Sequence, residues 1–136
     1  MYPPELTAPM AAELVGVGFE ELKTPEQVDK AFARPGTVLC VVNSVCGCAA
    51  GAARPGVRAA LANAKRPDHL TTVFAGVDTD AVIQARNHFL PYPPSSPSIA
   101  LFKDGKLVHF VERHHIEGRS ADMIAEHLKM VFDEFC

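Results

Sequence analysis

The sequence of 136 residues contains no tryptophan, only two tyrosines and no cluster of lysine or arginine. Acidic residues outnumber basic ones, 16 against 13, so the formal net charge is −3 and no basic patch for nucleic acid or an anionic membrane is expected. No uninterrupted apolar segment approaches the roughly 18 residues that a membrane-spanning helix needs. We therefore predict neither a nucleic-acid partner nor a membrane partner.

The first residues, Met1 to Leu6, lack the basic stretch and the following apolar core of a secretory signal, so we expect a cytoplasmic protein. Cysteines in that compartment normally stay reduced. The sequence has four of them, and the close pair Cys46 and Cys48 is typical of a catalytic, redox-sensing or metal-binding site rather than of a structural disulfide.

The length fits one domain with its own hydrophobic core. Residues 1–36 are predicted to form an N-terminal helical extension, and residues 37–136 the core. In the extension, Leu6, Met10 and Leu14 have the spacing of a short helix, and Thr24 is placed to cap a second one.

Residues 37–136 alternate apolar strand patterns with helical patterns. Strands are predicted at 37–44, 71–77, 98–102 and 107–111, and helices after the first strand to about residue 63, at 78–90 and from residue 120 onward. We expect a kink near Gly51, because Pro55 has no backbone N–H to donate to it. The order βαβαββα predicts an α/β, thioredoxin-like fold: a mixed four-stranded sheet with helices on both faces.

The motif Cys46-Gly47-Cys48 lies where the first predicted strand gives way to a helix. A helix N-terminus presents unpaired N–H groups and a partial positive charge, and both favour a thiolate over a thiol. Residues two apart on a helix point away from each other, so Cys46 is expected before the helix and Cys48 in its first turn. A lowered pKa would also make Cys46 a better leaving group when a second thiol resolves its mixed disulfide.

Five further residues are candidate substrate-binding positions. Asn43 and Ser44 immediately precede the thiols, where such side chains either contact a bound disulfide or steady the turn. Gly47 is interpreted as a backbone requirement between the thiols. Pro97 directly enters the third strand, and we predict a cis bond there that leaves the backbone of Ser96 exposed beside the site.

Two cysteines and a histidine pair stay outside the predicted site. Cys40 falls within the buried strand, where cysteine acts as a small hydrophobic residue. Cys136 is terminal, and either an inert exposed thiol or one with a redox or intermolecular role. The side chains of His114 and His115 are expected to diverge, so no metal site is assigned to them.

Several segments resemble the bacilliredoxin family; they run from Val41 to Gly51, from Ala53 to Pro55, from Thr72 to Gly76, from Pro94 to Ser98 and from Phe132 to Cys136. The resemblance implies an oxidoreductase that removes bacillithiol from S-bacillithiolated cytosolic proteins, with bacillithiol as co-substrate and no tightly bound cofactor. It also implies Cys46 as the nucleophile, Cys48 as the candidate resolving thiol and Pro97 in a cis-proline position. An NAD(P)H-dependent disulfide reductase is implied as a further partner.

Three alternatives stay open at this point. Some members of that family are described as protein disulfide isomerases. Thiolates also bind zinc and copper(I) well, so Cys46 and Cys48 fit a metal-binding module, although a third and a fourth ligand are not evident. The third alternative is a redox sensor, in which Cys46 is modified and a partner protein detects the change.

Overall fold

The computed structural model describes residues 2–136, and Met1, where the predicted extension begins, lies outside the described residues. The elements in chain order are α1 (Pro4–Val15), β1 (Glu20–Glu21), α2 (Pro25–Phe32), β2 (Thr37–Asn43), α3 (Arg54–Ala60), β3 (His69–Phe74), α4 (Thr79–His88), β4 (Ser98–Lys103), β5 (Lys106–Val111) and α5 (Ala121–Phe135). Among residues 2–136, no helix combines the length and the apolar character needed to cross a bilayer.

The five strands form one mixed sheet in the order β1-β3-β2-β4-β5. Strand β2 pairs in parallel with β3 and antiparallel with β4, and β4 pairs antiparallel with β5. Every residue of β2 is buried, which confirms the prediction that it is a central strand. Because β5 is antiparallel to β4, it runs in the same direction as β2, and the C-terminal ends of both strands lie at the same edge of the sheet.

The predicted α/β architecture with helices on both faces is confirmed, but the sheet has five strands rather than four. The additional strand, β1, comes from the predicted helical extension and pairs with β3. Its two residues, Glu20 and Glu21, are exposed and carry no apolar alternation. Backbone hydrogen bonds pair this strand with β3, and the flanking residues Phe19 and Leu22 are buried in the cores, so the extension is part of the sheet.

Two apolar cores lie on opposite faces of the sheet. Helices α3 and α5 pack on the face that carries Leu39 and Val41, while α2 and α4 pack on the face that carries Val38, Cys40 and Val42. Alternate residues of β2 thus enter different cores. Pairing with β3 on one side and with β4 on the other sets the register of this strand and thereby the direction in which its C-terminal end leaves the sheet.

The helix that follows β2 has a π turn near its start, Ala49–Ala53, which leads directly into α3. At the position of the predicted kink, Gly51, the structure has this π turn. Pro55 lacks the N–H that an α-helical bond to Gly51 requires, and the wider hydrogen-bonding pattern of the π turn accommodates that loss. Farther along, Gly56 lies directly against Ile124 of α5.

Alanine substitutions at the two glycines of this helix are expected to have opposite effects on the free energy of unfolding. Gly56→Ala places a Cβ atom 2.7 Å from Ile124, so α3 and α5 must separate, at a cost of about 1–3 kcal/mol. Gly51→Ala meets nothing within 4 Å and gains about 0.5–1 kcal/mol from helix propensity. Urea unfolding of both variants tests the pair, and shifts of the same sign would contradict this packing.

Candidate active site

The two thiols lie at the C-terminal end of β2, where the strand passes into the helix. The carbonyl oxygen of Cys46 accepts backbone hydrogen bonds from Ala49 (3.0 Å) and Ala50 (3.2 Å), and helical structure begins at Gly47. Cys46 thus precedes the helix and Cys48 lies in its first turn, as predicted. Both are free thiols, and their Sγ atoms are 2.7 Å apart.

The pKa values of the two thiols shift in opposite directions. Burial raises the pKa of Cys46, but hydrogen bonds from the thiol of Cys48, the hydroxyl of Ser44 and the backbone N–H groups of Ala49 and Cys48 outweigh it and lower this pKa. Burial is the main cause that raises the pKa of Cys48, and the hydrogen bond and charge of Cys46 raise it further. The hydrogen bonds that reach Cys46 thus favour this residue as the thiolate of the pair.

A buried arginine holds the turn that carries the thiols. Arg54 is 2% exposed, and its Nη1 donates to the side-chain oxygen of Asn43 (3.0 Å) and to the carbonyl oxygen of Ser44 (2.8 Å). Its Nε lies 3.2 Å from the carboxylate of Glu13, an ion pair without an aligned hydrogen bond. The guanidinium thereby joins α1, the end of β2 and α3 around one turn.

Three of the predicted substrate-binding residues lie on this turn. Asn43 is 1% exposed, and its side chain bonds to Ser44 N–H, Arg54 and the Met10 carbonyl, which favours a role in steadying the turn over contact with a substrate. The hydroxyl of Ser44 accepts a hydrogen bond from the backbone N–H of Cys46 at 3.2 Å. Gly47 has no positive φ and nothing within 4 Å of its Cβ position, so the interpretation as a backbone requirement is wrong.

The peptide bond between Ser96 and Pro97 is cis, the form predicted for this position. Ser96 lines a cleft of about 250 Å³ that opens beside Cys46, whereas Pro97 itself is buried. Of the five predicted substrate-binding residues, Ser44 and Ser96 line this cleft. A second cis bond, Leu90–Pro91, is present without any sequence signal that predicted it.

Arg113 and Tyr2 also line this cleft, and sequence reasoning missed both. Arg113 follows β5, and its positive charge lowers the pKa of Cys48 in opposition to the larger effects that raise it. The signal that could have identified Arg113 is the parallel direction of β2 and β5, since it brings the C-terminal ends of both strands to one edge of the sheet. Tyr2 donates its backbone N–H to Gly76 (3.2 Å), and its ring lies so close that a Cβ on Gly76 would be 2.5 Å away.

The other two cysteines lie away from this site. Cys40 is fully buried, and burial raises its pKa to about 12, which fits the predicted role as a core residue. Burial raises the pKa of Cys136, and Thr37, at the opposite end of β2 from Cys46, is near enough to lower it in part. A strand of seven residues spans about 20 Å, well beyond the ~7 Å between Cα atoms that a disulfide tolerates. The folded chain cannot join Cys136 to Cys46.

The histidine pair after β5 differs from the prediction. The ring centroids of His114 and His115 are 4.0 Å apart, so the expectation that these side chains diverge is wrong. With Glu112 they form a group whose ligand atoms lie within 4.8 Å of one another, and both imidazoles are exposed. In the part of the chain that the structure describes, this is the one such group of three or more, and it contains neither Cys46 nor Cys48. The metal-binding alternative thus gains no third ligand beside the thiols.

Known sequences place this chain among thiol-redox proteins. A family model described as disulphide isomerase matches residues 2–136. A bacilliredoxin of Cytophaga hutchinsonii is 69% identical, over 98% of this chain and 99% of its own length. The chain belongs to the bacilliredoxin family. A second bacilliredoxin, from Geobacillus kaustophilus, is 56% identical over 91% of this chain and 86% of its own. The resemblance seen in the sequence is confirmed, and the chain is a thiol-disulfide oxidoreductase.

Solved thioredoxins share the fold of this bacilliredoxin. Oxidised thioredoxin from Plasmodium falciparum superposes with a TM-score of 0.58 at 14% identity, over 87% of this chain and 98% of its own. A mutant thioredoxin from Halobacterium salinarum gives 0.57 at 18% identity, over 85% and 88%. The predicted thioredoxin-like fold is confirmed, and at these identities the likeness concerns the fold alone.

Proposed function

We propose that this bacilliredoxin reduces mixed disulfides between bacillithiol and the cysteines of cytoplasmic proteins. The observation that carries the proposal is a pair of free thiols with opposite pKa shifts beside an open cleft. The lowered pKa of Cys46 supplies a thiolate, which is the attacking form of cysteine. The names of the similar proteins support a bacillithiol substrate.

In the first step, the Cys46 thiolate attacks the bacillithiol sulfur of the mixed disulfide. A bond between Cys46 and bacillithiol forms, the bond between bacillithiol and the client breaks, and the client cysteine leaves as a thiolate. The open space beside Gly47 leaves room for the client protein on this side of the thiols.

In the second step, the thiolate of a free bacillithiol attacks the bacillithiol sulfur of the adduct. Bacillithiol disulfide forms, and Cys46 leaves as a thiolate that the hydrogen bonds from Ser44 and the helix stabilise. The alternative attack by Cys48 on the Cys46 sulfur would release bacillithiol and form a Cys46–Cys48 disulfide. The raised pKa of Cys48 favours the first route. An NAD(P)H-dependent disulfide reductase would then return two electrons to the disulfide produced, so bacillithiol serves as co-substrate and no tightly bound cofactor is required.

Mass spectrometry of the trapped intermediate tests this function. The Cys48→Ser variant, incubated with one S-bacillithiolated client and no free thiol, is expected to carry a bacillithiol adduct on Cys46 and to release an equal amount of client thiol. A scrambled protein disulfide serves as the comparison substrate for isomerase activity. An unmodified Cys46 with an unchanged bacillithiolated client would contradict the proposal, and faster reaction with the scrambled protein would favour isomerisation.

A further inference from the structure

We propose that Arg113 forms a carboxylate-binding subsite beside Cys46, so that the cleft takes an anionic low-molecular-weight thiol. This inference rests on the proposed function and names the chemical class of thiol that the cleft selects. It starts from the charges that line the cleft. Of the residues that line it, Arg113 is the one with a formal positive charge, and Cys46 lines the same space.

The guanidinium of Arg113 is held in place from two directions. Its Nε donates to the carboxylate of Glu117 (2.6 Å), and its Nη1 donates to the carbonyl oxygen of Ser96 (3.1 Å). The backbone N–H of Arg113 also donates to the hydroxyl of Ser95 (3.3 Å). A guanidinium has more N–H donors than these two side-chain bonds use, and its planar fork matches a carboxylate. Donors therefore remain for an anion in the cleft, at an orientation that the protein sets in advance.

The charge of Arg113 acts directly on the reacting sulfurs. The hydrogen bond to Glu117 is the main cause that raises the pKa of Arg113, and the negative charges of Cys46 and Cys48 raise it further. A thiol whose sulfur is bonded to Cys46 therefore lies within electrostatic range of Arg113. When that bond forms, the charge of the Cys46 thiolate is lost, and a carboxylate on the bound thiol can replace it as the anion that faces the guanidinium.

The lining of the cleft combines apolar and polar groups. The cleft measures about 250 Å³, and Tyr2, one of the residues that line it, lies over Gly76, where a Cβ would meet the ring at 2.5 Å. Small-molecule sites combine such apolar walls with a few placed polar groups. The ring of Tyr2 can contact the carbon skeleton of the thiol while Arg113 binds its carboxylate, and the client leaves on the open side at Gly47.

A series of matched substrates tests this subsite. One single-cysteine peptide is coupled to mercaptopropionate, mercaptoethanol or cysteamine, which are negative, neutral and positive thiols of similar size. For the Arg113→Gln variant, the ratio of kcat/KM for the mercaptopropionate disulfide to that for the cysteamine disulfide is expected to fall about tenfold below the wild-type ratio, mainly through KM. Comparing variants on the same substrates cancels the intrinsic reactivities of the thiols. Arg113→Lys, which keeps the charge without the fork, is expected to restore part of the ratio.

Arg119→Gln is the matched control, because it removes the same charge from the same loop but lines a separate pocket. It should leave the wild-type charge preference in place. An equal loss of kcat/KM for all three substrates in Arg113→Gln would overturn the proposal and indicate a structural role. The proposal would also be overturned if the ratio of kcat/KM values in Arg113→Gln equalled the wild-type ratio. Failure of the wild type to reduce a bacillithiolated client, with its preference for mercaptopropionate intact, would instead refute bacillithiol as the substrate and leave the anion subsite standing.

Discussion

Cys46→Ser is expected to lower the rate of reduction of a bacillithiolated client by at least about a thousandfold, because no other residue of the site supplies the attacking thiolate. The pKa of Cys46 is lowered by hydrogen bonds from Ser44, Cys48 and the helix, whereas the pKa of Cys48 is raised. A serine hydroxyl occupies nearly the same volume as the thiol but ionises far less readily. The rate of release of client thiol, measured with free bacillithiol in excess, gives the comparison.

Cys48→Ser is the matched control for that prediction. With excess free bacillithiol, the adduct on Cys46 can be discharged without Cys48, so this variant is expected to keep its rate within about threefold of the wild type. Part of any change will come from the altered hydrogen bond to Cys46, since a hydroxyl replaces the thiol whose sulfur lies 2.7 Å away. Retained activity in Cys46→Ser would remove the role given to Cys46, and loss confined to Cys48→Ser would reverse the two assignments.

The predictable part of the fold is the part that local patterns determine. Residues 38–42 are apolar on both faces, which predicts a covered central strand and places the thiols just after its C-terminal end. The hairpin at Asp104-Gly105 is also local, since both residues have positive φ. Strand β1 was not predictable in this way. Glu20 and Glu21 pair through their backbones with a strand about 50 residues away, and their exposed side chains form no pattern that predicts this pairing.

The residues of the candidate site also divide into those that local sequence patterns predict and those that depend on the assembled fold. Cys46, Cys48 and Ser44 are neighbours in sequence, so the predicted strand-to-helix junction was enough to place them together, although Arg54 and Met10 also hold the turn in the folded chain. Arg113 and Tyr2 reach the cleft only through the assembled sheet, one at the end of the edge strand β5 and the other through its backbone bond to the loop after β3. Side chains that converge from different elements leave no spacing signal in the sequence.

The buried Arg54 also acts through contacts between different elements, and its replacement is expected to have a large effect on the free energy of unfolding. Arg54→Met keeps much of the side-chain length but removes the donor to Asn43 and Ser44 and leaves Glu13 without its cation. We expect the free energy of unfolding to fall by about 2–4 kcal/mol, since the carbonyl and amide oxygens lose their partner inside the protein while Glu13 is partly hydrated. Urea or thermal unfolding measures the change.

Arg58→Met provides the comparison for this substitution on the same helix. Arg58 is exposed and lies one turn farther along α3, so the same replacement should change the free energy of unfolding by less than about 0.5 kcal/mol. Equal losses in both variants would refute the assignment of Arg54 to the turn.

The turn also links the stability of the fold to the reactivity of the thiol. Ser44, which Arg54 holds by its carbonyl oxygen, places the hydroxyl that helps to lower the pKa of Cys46. In Arg54→Met that turn is free to move, so the pKa of Cys46 should rise, and alkylation of this thiol should require a higher pH than in the wild type.

Asn43→Ala tests the same hydrogen-bond network through the other partner of Arg54. Because both residues act on one turn, the double variant, Asn43→Ala with Arg54→Met, should lose less stability than the sum of the two single losses. Fully additive losses would mean that Asn43 and Arg54 act independently.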